Sequence, residues 1–143
     1  MDDSYIYHTR ALRQFISTIG KNHHRTGDVH VRIAEHLSRR GNKKEAEYVY
    51  LITKFGVLLL ICSRMHLNEA LRIFGDRTIY KPEKARALFK MSLLYKENRQ
   101  PAEAKATYKD CIDCYIDIVG FDGLSTKPLP ADTVDELVVF WSR

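Results

Sequence analysis

Residues 81–116 spell two helices separated by a tight turn, and that grammar, repeated earlier in the chain, restricts the fold more than any other feature. Lys81-Pro82-Glu83 opens a run in which Ala85, Leu88, Phe89, Met91, Ser92 and Tyr95 recur at helical spacing. Proline suits a first helical turn because the N–H it lacks has no intrahelical acceptor there. The sequence ENRQP then breaks the pattern, and Pro101-Ala102-Glu103-Ala104 opens a partner helix carrying Tyr108, Cys111, Ile112 and Tyr115. No segment alternates with a period of two. The 7 Gly and 4 Pro stand mostly where elements should end. These patterns predict an all-α chain, and 143 residues suit one core.

The N-terminal half follows the same grammar. Residues 5–19 carry Ile6, Leu12, Phe15, Ile16 and Ile19 with mostly helical spacing, and Gly20 is placed to end that helix. After the polar connector KNHHRTGD, Thr26 or Asp28 is expected to cap a second helix. Val31, Ile33, Ala34 and Leu37 give that helix its apolar positions, and Gly41-Asn42 is expected to break it. A third helix is expected from about Lys43.

Two helix–turn–helix units of one grammar resemble the tetratricopeptide repeat, a hairpin of about 34 residues with small residues where its helices cross and an aromatic four places further on. In the second unit the matching places are Leu88, Ser92, Tyr95, Ala104, Tyr108 and Cys111; in the first they are Ile33, Ala34, Leu37 and Ala46. Small side chains let paired helices approach closely, and the ring fills the gap to the next pair. The segment ALRQFISTIGKNHHRT is similar to kinesin-light-chain-type repeats through Ala11-Leu12, Ile19-Gly20, His23 and Thr26, with His24 where proline is usual. The tail DTVDELVVFWSR resembles the closing segment of repeat arrays in fungal NACHT- or NB-ARC-type signalling ATPases. The resemblance implies a tetratricopeptide-type α-solenoid of antiparallel helix pairs. Its expected parts are a lone second helix of a repeat (1–20), a first repeat (27–80), a second repeat (81–119), a linker (120–131) and a C-terminal capping helix (132–143). No Gly-x4-Gly-Lys-Ser/Thr phosphate loop is present, so an ATPase part is not expected.

One block strains this reading. Residues 48–66 are nearly all apolar, and they lengthen the second helix of the first repeat. Ala46 calls for a large residue four places on and a small one seven places on. Tyr50 and Thr53 answer, and so do Leu67 and Ala70, each 17 positions later. At about 100° per residue, 17 residues rotate the second set roughly 100° from the first, so one straight helix cannot aim both at one core. It would also run through Gly56, which costs about 1 kcal/mol relative to Ala. The block reads either as a genuine insertion whose apolar face seeks a partner, a route to oligomers, or as a short intron translated in frame. A membrane-touching segment is a third reading, but the longest unbroken apolar run, residues 57–62, is far below the roughly 20 residues a bilayer requires.

Chemistry-bearing residues are few. Cys111 and Cys114 form a CxxC inside a predicted helix rather than at its N-terminus, where the dipole would activate a thiol, so core packing is expected. No second CxxC supplies a zinc site. His23, His24, His30 and His36 form neither HxxxH nor HExxH and are expected in a turn and on the surface. Asp110, Asp113 and Asp117 share a helical face that reads as solvated. Nothing pairs a nucleophile with a base, so no enzyme and no cofactor is expected. Arg39, Arg40, Lys43 and Lys44 make a basic patch without the aromatics that stack nucleic-acid bases. The net charge is +5. From residue 120 onward two basic and four acidic residues give −2, which leaves +7 for the remainder. Three cysteines, an odd number, and the acidic, polar start MDDSYIYH favour a cytoplasmic chain.

The functional expectation is a protein- or peptide-binding face on the first helices of the two repeats. By resemblance it is lined by Val31, Glu35, Arg86, Phe89, Lys90 and Leu93, without the Lys and Asn pairs of chaperone-tail clamps. Nucleic acid and membrane are not expected partners. The alternative is a purely structural C-terminal piece of a larger switch ATPase. In the tail, Val134, Leu137, Val138 and Trp141 lie at i, i+3, i+4 and i+7 behind Asp132 as the expected N-cap, and are expected to cover the last repeat.

Overall fold

The computed structural model describes residues 3–43, 49–120 and 129–138, and among them every regular element is helical. The α-helices are α1 (Asp3–Thr18), α2 (His24–Lys43), α3 (Val49–Phe74), α4 (Lys81–Glu97), α5 (Pro101–Val119) and α6 (Ala131–Asp135), with a 3-10 turn at Thr78–Tyr80 before α4. Two compact units divide the chain, residues 1–73 and 74–143.

In the first unit α1 and α2 pack together. The connection forms as the glycine predicts. The N–H groups of Ile19 and Gly20 both donate to the Phe15 carbonyl, and Gly20 turns the chain out at φ +94°, where a β-carbon would be strained. Thr26 is not the N-cap. The helix already begins at His24, and the fully buried Thr26 hydroxyl donates backward to the Gly20 carbonyl at 2.9 Å, which stitches α2 to the end of α1. Val29, Ile33 and Leu37 follow at i, i+4 and i+8 and are buried against Tyr5, Ala11, Leu12 and Phe15 of α1 and Cys62 of α3. Each such side chain contributes about 1.5–3 kcal/mol on leaving water. Gly41-Asn42 does not break α2, which continues to Lys43.

From Val49 onward the apolar block lies within one helix, α3, that runs through Gly56; residue 48 is outside the described residues. Residues of the second register lie in the core. Leu67 and Ala70 are buried, and so is Ser63, whose hydroxyl donates to the Ala34 carbonyl at 2.9 Å. Ser63 stands 17 positions after Ala46 and takes the crossing place expected of Ala46. Ala46 lies outside the described residues, as do the side chains of Tyr50 and Thr53.

In the second unit α4 and α5 pack along each other and are joined by residues 98–100. Pro82 and Pro101 fall in the first turns, as their chemistry requires. The turn is closed by the Gln100 N–H on the Tyr95 carbonyl, with Arg99 in the left-handed region at φ +56°. α4 is buried on most sides: Ala85, Arg86, Ala87, Leu88, Phe89, Met91, Ser92 and Leu94 all leave solvent. The cause is that α5, α6 and the 3-10 turn all contact it. α6 begins at Ala131 behind Pro130, with Asp132 inside the first turn rather than at the cap. It gives way to a turn at Glu136 and Leu137, so the described tail is a single helical turn and a bend, shorter than the expected capping helix. Trp141 lies outside the described residues. No described helix is long and apolar enough to cross a membrane.

Candidate interaction face

α4 positions four of the six residues expected to line a binding face. Arg86, Phe89, Lys90 and Leu93 recur at i, i+3, i+4 and i+7, so the helix sets them on one side. Only Leu93 is open, at 39 % exposure. Arg86 is buried to 1 %, Phe89 to 5 %, and Lys90 is half-buried. α5 packs along α4, and α6 also contacts it. Asp135 of α6 lies between the two cations, its Oδ1 2.9 Å from Arg86 Nε and its Oδ2 3.2 Å from Lys90 Nζ. Lys90 donates a hydrogen bond to the carboxylate, whereas the Arg86 Nε contact is an ion pair whose N–H is not aimed along a hydrogen-bond direction. Val134 and Val138, flanking Asp135, are buried to 0 % and 1 %. Leu129 is buried as well, and its N–H donates to the Tyr108 hydroxyl of α5 at 2.9 Å. The Tyr108 ring lies 6.4 Å from that of Phe89, and Lys90 Nζ sits 6.0 Å from the Phe89 ring centre. Cations, rings and apolar side chains thus meet on one stretch of α4 and α5.

Val31 and Glu35, the other two expected residues, belong to the first unit. Val31 is buried, and Glu35 accepts a hydrogen bond from Arg32 at 3.1 Å. An open face was expected here. Val31, Arg86 and Phe89 are instead buried.

Other candidate residues are accounted for locally. Cys111 is fully buried and its thiol is pushed up to about 12, first by burial and then by Cys114. A thiol so placed is not a nucleophile near neutral pH. Asp117 pairs with Lys81 at 2.8 Å. Among the described residues no three His, Cys, Asp or Glu side chains are grouped so as to hold a metal.

The histidines depart most from expectation. His30 is not on the surface but faces His66 across α2 and α3, Nδ1 to Nδ1 at 2.7 Å. One ring must donate and the other accept, so the two rings cannot both be imidazolium. Burial first, then the neighbouring His66 and Arg72 against an opposing pull from Glu69, lower His30 from 6.5 to about 4. Burial lowers His66 too. The sequence reading did not single out His66, because the contact depends on how α2 and α3 pack. His36 meets Ser4, Tyr5 and His8 of α1. Of the apolar block's described side chains, Ile61 and Met65 are exposed, one turn apart. Of the basic patch, Arg39 is exposed and Arg40 half-buried, while Lys44 lies outside the described residues.

Comparison with protein-family models, with curated proteins and with solved structures gives no match.

Proposed function

We propose that the chain is a non-enzymatic interaction module, a tetratricopeptide-type α-solenoid of antiparallel helix pairs. It binds a protein or peptide segment along α4, with Arg86, Phe89, Lys90 and Leu93 as the contact residues. The observation that supports this reading is that α4 already holds a short chain segment, α6, with the Asp135 carboxylate on Arg86 and Lys90. Two cations beside an aromatic ring are the kind of anchor that recognises an acidic peptide. Arg86 is itself part of the folded unit, so the test uses the outer residues. The full chain carrying Lys90→Glu and Leu93→Asp is compared with the parent on a peptide array, with circular dichroism as a control. Loss of the parent's bound peptides by the folded variant supports the face; their retention removes α4 as the site.

A second reading, a structural terminal piece of a larger switch ATPase with no ligand of its own, is favoured by the cover that residues 129–138 give α4. On that reading, removal of residues 132–143 lowers the melting temperature and no peptide binds the exposed face.

A further inference from the structure

We infer that residues 129–138 are an internal stand-in for the partner. The α4 face takes from another protein a short helical segment whose carboxylate is preceded directly by a valine-sized side chain and followed three residues later by a second. This rests on the binding role proposed above and names the chemistry of the ligand.

The inference starts from Arg86. Its side chain is 1 % exposed, and a buried guanidinium costs several kcal/mol unless a carboxylate is supplied beside it. Asp135 supplies one, and Lys90 adds a second cation on its other oxygen. The carboxylate stays 30 % exposed, so it approaches from the solvent side, as a ligand's would. Val134 and Val138 stand one before and three after Asp135; α6, which carries Val134 and Asp135, contacts α4, and Val138 lies in the bend that follows it. Both valines are buried, so apolar side chains anchor the segment on either side of its carboxylate. Leu129 extends the footprint by its N–H to Tyr108 of α5. A surface with two cations, a ring and two valine seats is a specific receptor, and the charge of its occupant is fixed by the cations.

The attached segment also sets a threshold. It belongs to the same chain as the face it packs on, so its docking is intramolecular. A partner must displace it, so a stronger or more abundant acidic segment wins where a weak one does not.

The experiment titrates a fluorescein-labelled peptide of residues 129–138, LPADTVDELV, into full-length chains and reads fluorescence anisotropy. In the parent the seat is occupied. In the full-length Asp135→Lys chain the attached segment is repelled from Arg86 and Lys90 and the seat is open. The peptide is expected to bind Asp135→Lys at least tenfold more tightly than the parent. The same peptide carrying Asp135→Asn is expected to bind that chain at least tenfold more weakly. Should Asp135→Lys lose its helical circular dichroism, the full-length Val134→Ser, Val138→Ser chain opens the seat with Arg86 and Lys90 untouched, and the same gain is expected. A folded open-seat chain that ignores the peptide overturns the inference, as does equal binding of the Asp and Asn peptides. Dimers of the parent that the peptide dissolves would give the seat to a second copy and also overturn it. If array peptides depend on Lys90 and Leu93 while this peptide fails, the ligand chemistry is wrong and the face stands; if neither depends on them, the face is wrong.

Discussion

Single side chains decide how the helices meet. Ser63 is buried at the crossing of α3 over α2 and donates to the Ala34 carbonyl. A net hydrogen bond of this kind contributes about 1 kcal/mol, so Ser63→Ala is expected to lower stability by about that much in urea unfolding, whereas Ser63→Val, too large for the crossing, costs more. The sequence pattern points to Ala46 for this place and not to Ser63. Cys111 illustrates the reverse. Its place among the small residues of the pattern was readable, and burial explains its raised thiol. Iodoacetamide at pH 8 is therefore expected to label Cys111 at least tenfold more slowly in the folded chain than in urea, as peptide mass mapping would measure. Arg86 was legible as part of one helical face with Phe89, Lys90 and Leu93. Its burial was not, because the residue that makes it tolerable, Asp135, is 49 positions away and docks only in the folded unit.

Among the elements, α2 carries the core of the first unit. Ile33 is fully buried between α1 residues and Cys62. Ile33→Ala is expected to cost about 2–5 kcal/mol, with the spread set by how far Leu12 and Phe15 collapse into the space, and chemical denaturation reads it directly. α3 is the element that sequence left ambiguous. Its two candidate registers differ by roughly 100° of rotation, and periodicity alone weights them equally. The register with Ser63, Leu67 and Ala70 inside carries Ile61 and Met65 to the outside. Sequencing the transcript separates the two origins of the block. A message lacking the codons for residues 50–66 would encode a chain in which Ala46 takes the crossing place of Ser63; a message retaining them makes the long α3 the normal product. The starts of α4 and α5 needed no such arbitration, because Pro82 and Pro101 restrict their own backbone whatever packs on them.

At the scale of the whole molecule, folding is coupled to pH through the first unit. His30 titrates near 4 when folded and near 6.5 when unfolded, so between those values the unfolded chain binds more protons. Stability is then full above about pH 6.5, falls as pH drops toward 4, and is flat below for this group. The loss is expected to be about 1 kcal/mol, reduced from the full linkage value because the ring keeps partial solvent contact. Thermal melts at pH 7 and pH 4.5 measure it, and His30→Asn is expected to flatten the difference.

By itself the sequence determined what is local: that the chain is helical, where α4 and α5 begin, where Gly20 turns it out, and which small and aromatic residues recur. These follow from backbone chemistry and a 3.6-residue period, which act within a turn or two of each residue. The folded structure decided the register of α3, the pairing of His30 with His66, and the cover that residues 129–138 place on Arg86. Each of these joins side chains far apart in sequence, and burial is a property of the neighbours that packing brings, not of the residue that is buried.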